Sequence, residues 1–207
     1  MVERLGAGRI EATAELLAEA FDEDAGYRYL FPGPERRAGL ADLFRRNLRV
    51  HLPHGCTWIW VEQGSVRATV TVRPPSGVPI STLTMVRHGL LPFVRVRGWA
   101  ATRRLLWLKN TYGQLEHAIA TGAPHWHVHM MVVQPSVQGR GIGGRLLGAV
   151  LDRTADLDPG RPTVLTTHSE RNVTFYRRLG FEVTERRELR PPGAAPYPVW
   201  SMHRRQP

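Results

Sequence analysis

The chain has 207 residues, 42% of them hydrophobic, with 28 Lys and Arg against 18 Asp and Glu for a formal charge of +10. That length allows one sizeable core, no apolar run approaches bilayer-spanning length, and a single cysteine, Cys56, cannot close an internal disulfide. A membrane-spanning helix and a disulfide scaffold are thereby excluded, and the expectation is one domain over 1–207, without an export signal, in the reducing cytoplasm.

Ile10 to Phe21 places Leu16, Leu17, Ala20 and Phe21 on one side of a helix, and Glu35 to Val50 reads as a second helix stopped before Pro53. Between them Asp22 to Pro34 is polar, aromatic and broken by Gly and Pro, as a binding loop is. Cys56 precedes Trp58-Ile-Trp60-Val and reads as a buried structural thiol. Thr57 to Val61 and Val66 to Arg73 form a hairpin turned at Gln63-Gly64-Ser65, the second and third strands.

Ile80 to Gly122 has few strand signals and many helix formers, which predicts two or three inserted helices before the next strand. Arg95, Arg97, Arg103, Arg104 and Lys109 alternate there with Phe93, Trp99 and Trp107. A membrane-surface helix has this composition, but an ordinary amphipathic helix with packed Trp residues is the reading preferred. Lys109 is the sole lysine, and no aromatic-basic nucleic-acid motif accompanies the arginines, so no nucleic-acid or membrane partner is expected. The positive potential suits a polyanionic ligand instead.

His127 to Val133 reads as a buried strand ended by Pro135 and Ser136, then Gly139, Gly141, Gly143 and Gly144 lead into a helix whose apolar face carries Leu146, Leu147, Val150 and Leu151. Free N–H groups at that helix start, with the positive end of its dipole, favour a phosphate. The dinucleotide spacing G-x-G-x-x-G fails here, and no Lys follows the glycines as a nucleotide P-loop requires. Arg161 to Thr167 is a further short strand, Asn172 to Phe181 a helix and turn, and Phe181 to Glu185 and Val199 to His203 are the last two strands, joined by the Pro191 to Pro198 loop.

Gln138-x-x-Gly141-x-Gly143, followed after one strand by Asn172-x-x-Phe175-Tyr176-x-x-Leu179-Gly180-Phe181, resembles the signature of the GCN5-related N-acetyltransferase (GNAT) superfamily. The resemblance spans 125–205, the acetyl-CoA-binding half. Ala20-Phe21-Asp22 and Tyr29-Leu30-Phe31-Pro32 are similar to the small-molecule branch that includes puromycin N-acetyltransferase. The fold this implies is α/β: a mixed, mostly antiparallel twisted sheet of six or seven strands flanked by helices, with the helical insertion at 80–122 between the third and fourth strands. It also implies acetyl-CoA as acyl donor, its pantetheine arm on the main chain of Met131, Val132 and Val133. Gln138, Gly139, Arg140, Gly141, Ile142, Gly143 and Gly144 would surround the pyrophosphate, with Arg145 beside them and Asn172 either contacting the coenzyme arm or capping its helix.

Acetyl transfer to an amine needs the nitrogen deprotonated, the carbonyl oxygen stabilised and the thiolate protonated. By resemblance Tyr176 is the general acid. His127 and His129, two apart on one strand, are the candidate bases, a placement similar to that of serotonin N-acetyltransferase, with structural histidines as the alternative. Many relatives carry a Glu where this chain reads Leu165-Thr166-Thr167-His168, which shifts weight to the histidines, His168 included. No metal is expected, since the sequence places no third ligand beside the histidine pair. The expected activity is direct transfer from acetyl-CoA to a primary amine of a small molecule in a ternary complex. A peptide or protein N-terminal acetyltransferase and a non-catalytic coenzyme A-binding regulatory module are the alternatives, and a homodimer is left open.

Overall fold

The computed structural model describes residues 1–77 and 90–205, so the part of the predicted insertion over 80–89 lies outside the described residues. Seven strands form one sheet: β1 (Val2–Arg4), β2 (Thr57–Glu62), β3 (Ser65–Arg73), β4 (Trp126–Val133), β5 (Thr163–Thr167), β6 (Glu182–Leu189) and β7 (Tyr197–Arg204). Their order is β1-β2-β3-β4-β5-β7-β6, and only β4 and β5 run parallel. The mixed, mostly antiparallel sheet implied by the sequence is thus present.

The helices are α1 (Ile10–Ala20), α2 (Ala25–Leu30), α3 (Arg36–His51), α4 (Leu90–Ile119), α5 (Ile142–Leu157) and α6 (Glu170–Arg177). One core joins α1, α2, α3 and α4 through Leu17, Leu30, Leu48 and Phe93 to Ile59, Met130 and Val132 of the sheet. A second core joins α5 and α6 through Leu146, Leu147 and Val173 to Val70, Leu165 and Met202 on the other face. Burying each such aliphatic side chain stabilises the fold by about 1.5–3 kcal/mol.

Two loops are more ordered than their composition suggests. Within Asp22 to Pro34, α2 forms because the Asp24 side chain accepts from the backbone N–H of Gly26 and Tyr27 at 3.0 and 3.3 Å, an N-cap. The described insertion is one helix, α4, broken at Gly98, whose φ of 75° and ψ of 176° are effectively reserved for glycine. Trp107 packs on Tyr29 at 5.3 Å, as an amphipathic helix requires, whereas Trp99 is 65% exposed and corrects the expectation that the insertion's tryptophans are packed. No helix among the described residues is long and apolar enough to cross a membrane. β7 begins inside the predicted Pro-rich loop: Pro198 pairs with Glu188 of β6, and β5 reaches β7 only from Trp200 onward, so no neighbour on that side needs the missing N–H.

Candidate active site

The sheet comes apart where the signature residues lie. β4 and β5 pair only at Trp126 with Thr163 and His127 with Val164, and β4 then continues alone beside β3 to Val133. A bulge at His129 accompanies the split, since Thr71 faces Met130 and Val72 faces Val128. Such an extra residue kinks a strand and leaves its own backbone out of the ladder. It also reverses the alternation: Trp126 and Val128 pack on the α5 side, yet so do Met131 and Val133. His127 and His129 still share the opposite side, with ring centroids 5.7 Å apart. Met131, Val132 and Val133 therefore lie on a stretch of β4 whose β5-facing edge has no strand partner among the described residues.

That edge ends at the glycine loop. Gly139 (φ 81°) and Gly141 (φ 74°) adopt left-handed backbone, which puts Gly141 at the N-cap of α5 without any side-chain cap. The N–H groups of Ile142, Gly143 and Gly144 are thus left without intrahelical partners. The two glycines of the first turn differ in cause. A Cβ at Gly143 would stand 3.0 Å from Val133 Cγ2 and 3.2 Å from Met131 Cε, so that glycine serves packing against β4. A Cβ at Gly144 would meet nothing within 4 Å, so its smallness serves approach from outside.

Three guanidinium groups surround the turn. Arg140 is held by Glu62 of β2 through two bonds of 3.1 and 3.2 Å, Arg145 lies over the Trp60 ring at 5.0 Å, and Arg171 donates to Gln138 Oε1 at 2.7 Å. Gln138 in turn donates to the Val133 carbonyl at 3.0 Å, tying the turn to the end of β4.

The helix cap is a correction. Ser169, not Asn172, caps α6, its hydroxyl accepting from the Asn172 N–H at 3.3 Å, because Ser169 is the last residue in extended backbone before the helix. Asn172 instead donates from its amide to Thr167 Oγ1 at 3.1 Å, at the end of β5. One turn on, the Tyr176 ring is wedged between Phe175 and Phe181, 8% exposed, and its hydroxyl has no hydrogen-bond partner among the described residues. Burial raises this phenol far above its ordinary range, so it stays protonated and able to donate.

The histidines divide by their partners. His127 Nδ1 lies 3.0 Å from Glu116 Oε2, and Arg73 bonds to both of them, so this histidine is committed to an ionic cluster. His125 closes the other side of Glu116 at 3.2 Å. Burial opposes charge on Glu116, but hydrogen bonds from His125 and His127 and the nearby Arg73 outweigh it and hold this carboxyl far below the usual range. His129 has neither ring nitrogen bonded among the described residues. It stacks on His51 at 5.8 Å, and burial, with the Arg73 charge, holds it well below the ordinary imidazole value. A neutral imidazole with free lone pair is what a proton acceptor requires. Cys56 is buried, its thiol pushed up by burial and directed at the His51 carbonyl, which suits the structural role expected of it.

Glu116, Arg73, Asp24, Tyr112 and Tyr197 were not singled out from the sequence. Glu116 carried a signal, being the sole carboxylate between Ile80 and Gly122. His168 joins Asp24, Tyr112 and Tyr197 in a second, half-buried cluster.

The sheet is thus mixed and split between its two parallel strands, with a helix start of unpaired N–H groups at one end of the split and titratable side chains along it. Residues 99–191 match the acetyltransferase (GNAT) domain family. Peptidyl-lysine N-acetyltransferase YjaB of Salmonella typhimurium is 33% identical over 76 residues, 37% of this chain and 49% of that protein, so the chain spans about half the length of the curated relative it matches. Among solved structures, a polyamine N-acetyltransferase of Drosophila melanogaster that forms N-acetylagmatine superposes with a TM-score of 0.68 at 20% identity, covering 99% of each chain. An agmatine N-acetyltransferase, solved as a point mutant in its apo form, gives 0.68 at 19% identity over 99% of this chain and 98% of its own. At these identities the likeness is one of fold.

Proposed function

We propose that this protein transfers an acetyl group from acetyl-CoA to a primary amine of a small molecule, by direct attack with both substrates bound. The observation that carries the reading is the unpaired edge of β4, which runs from the histidine pair to the free N–H groups of the glycine loop. An extended pantetheine arm would complete that edge as an added strand through the main chain of Met131, Val132 and Val133. Its pyrophosphate would take the N–H groups between Gln138 and Gly144, with Arg140, Arg145 and Arg171 supplying charge-assisted contacts. Asn172 would flank the arm where β5 ends.

The amine nitrogen attacks the thioester carbonyl and the carbon–sulfur bond breaks. Tyr176, neutral and unpartnered, gives the departing thiolate its proton. His129 takes the proton that the nitrogen loses in the tetrahedral adduct, while His127 is the positioning member of the pair, fixed by Glu116 and Arg73. A small acceptor is favoured because α4 packs on α2, β5 and β7, over the side from which the amine would enter. The setting implied is cytoplasmic.

The test is thiol release from acetyl-CoA against a panel of aliphatic diamines, arylalkylamines and a lysine-containing peptide. Wild type is expected to acetylate small amines in preference to the peptide. Tyr176→Phe is expected to lose about 10²-fold in kcat with acetyl-CoA affinity retained. Tight coenzyme binding with transfer to nothing, or a fully active Tyr176→Phe, overturns the reading.

A further inference from the structure

Four polar side chains from four separate segments form a continuous hydrogen-bonded line on the α4 side of the split sheet. His168, just beyond β5, bonds through Nδ1 to Asp24 Oδ2 at 2.6 Å and through Nε2 to the Tyr112 hydroxyl of α4 at 2.7 Å, and that hydroxyl meets Tyr197 of β7 at 3.0 Å. A carboxylate only accepts, so Nδ1 carries the histidine proton, Nε2 accepts from Tyr112, and Tyr112 accepts from Tyr197. Every bond in the line then points toward Asp24.

Asp24 is fixed at the far end. Its other oxygen caps α2, and the backbone comes so close at Gly26 that a Cβ there would stand 3.3 Å from the Tyr197 hydroxyl and 3.4 Å from that of Tyr112. Tyr27 and Tyr29 of α2 also lie within electrostatic reach of the two phenols. Glu116, one turn along α4 from Tyr112, is committed to His125, His127 and Arg73, so Asp24 is the carboxylate that acts on His168. Burial first raises Tyr197 to about 12 and Tyr112 further, with Tyr197 adding to the rise at Tyr112 and the Asp24 charge adding to both, so both phenols stay protonated.

We propose that Asp24, His168, Tyr112 and Tyr197 form the proton exit for an acceptor that arrives as an ammonium ion, which makes strongly basic aliphatic amines its substrate class. The proposal rests on the acetyl-transfer reading above. One N–H bond of the ammonium breaks and its proton goes to the Tyr197 oxygen, the Tyr197 O–H proton moves to the Tyr112 oxygen, and the Tyr112 O–H proton moves to Nε2 of His168. The resulting imidazolium is paired with Asp24 and the amine is left neutral, with a lone pair for attack. The second proton, lost from the tetrahedral adduct, goes to His129 and is returned to Tyr176 after that phenol has protonated the thiolate. His168 then gives the first proton to solvent, the one proton the overall reaction releases. Tyr112 carries the transfer, and Asp24 acts through His168 as a positioning residue.

The experiment uses the best amine from the panel and its β,β-difluorinated analogue, whose nitrogen is far less basic and neutral in a much larger fraction at pH 7, with wild type, Tyr112→Phe and Asp24→Asn. Both substitutions keep shape, and Asn caps a helix as Asp does. Each variant is expected to lose about 10²-fold in kcat/KM for the basic amine at pH 7. The loss should shrink as pH rises and be rescued by the fluorinated amine, while acetyl-CoA affinity by calorimetry and the melting temperature hold. Equal losses on both amines mark the line as structural and overturn the proposal, as does no loss on either. A wild type that transfers to neither amine overturns the acetyl-transfer reading and this one together.

Discussion

Of the histidine pair on β4, His129 is the member left free to act, and the reason is local. The bulge takes its backbone out of the β3 ladder, and its ring stacks on His51 without a bond to the Glu116 cluster that holds His127. Burial, the Arg73 charge and the neighbouring His127 and His51 all hold its protonated form down, against a weaker pull from Glu116. The imidazole is therefore neutral at pH 7 and charges only well below its ordinary value of about 6.5. The expected acid limb of kcat/KM lies below pH 6.5, with rate lost as pH falls and His129 gains a proton. In His129→Gln that limb should vanish while any limb set by acceptor ionisation stays, and kcat should fall by about 10²-fold. A limb that stays in place transfers the role to another group.

At the scale of elements, the glycine loop and the strand before it were legible because their backbone demands are written in residue type. Left-handed turns need Gly139 and Gly141, and α5 shows its buried face as Leu146, Leu147, Val150 and Leu151. Long-range partners were not legible: Asp24 and His168 are 144 residues apart, and nothing local marks that pairing. Nor does alternation reveal a bulge, since Trp126 to Val133 reads as one regular strand. The insertion illustrates the same limit, for its helix-forming residues were plain, whereas the break at Gly98 depends on what the helix must reach. From that break α4 sends Phe93 into the α1–α3 core on one side and Tyr112 and Glu116 to the two polar clusters on the other. Gly98→Ala forces an L side chain into a conformation that costs on the order of 1–3 kcal/mol. The helix is expected to shift to relieve it, raising KM for the amine and leaving KM for acetyl-CoA unchanged. Steady-state kinetics with each substrate varied in turn checks this, and equal rises in both constants would separate α4 from the acceptor side.

Over the whole molecule, the buried histidines set how stability depends on pH. His51, His127 and His129 are all held below their unfolded value, chiefly by burial, so the unfolded chain binds protons that the folded chain refuses once pH falls below about 6.5. Their contribution is complete above that pH and is lost as pH falls toward their folded values. His125 works the other way, because its bond to Glu116 raises it: its share is present below the unfolded value and lost as pH rises through the folded one. Three groups oppose one, so stability is expected to fall from pH 7 to pH 5.5 by about 1.4 kcal/mol per pH unit for each net proton taken up. A second loss follows below the ordinary carboxylate range, when Glu116 is forced to protonate. Net charge offers a rival cause, because a chain at +10 gains still more positive charge on acidification. The two separate by salt: repulsion among exposed arginines is screened over roughly 10 Å at 0.1 M, while buried imidazoles are screened much less. Urea midpoints at pH 7 and 5.5, at low and high NaCl, should therefore keep most of their pH dependence in salt, and His129→Gln should make it shallower. A midpoint that no longer moves with pH once salt is added would assign the acid sensitivity to the surface arginines.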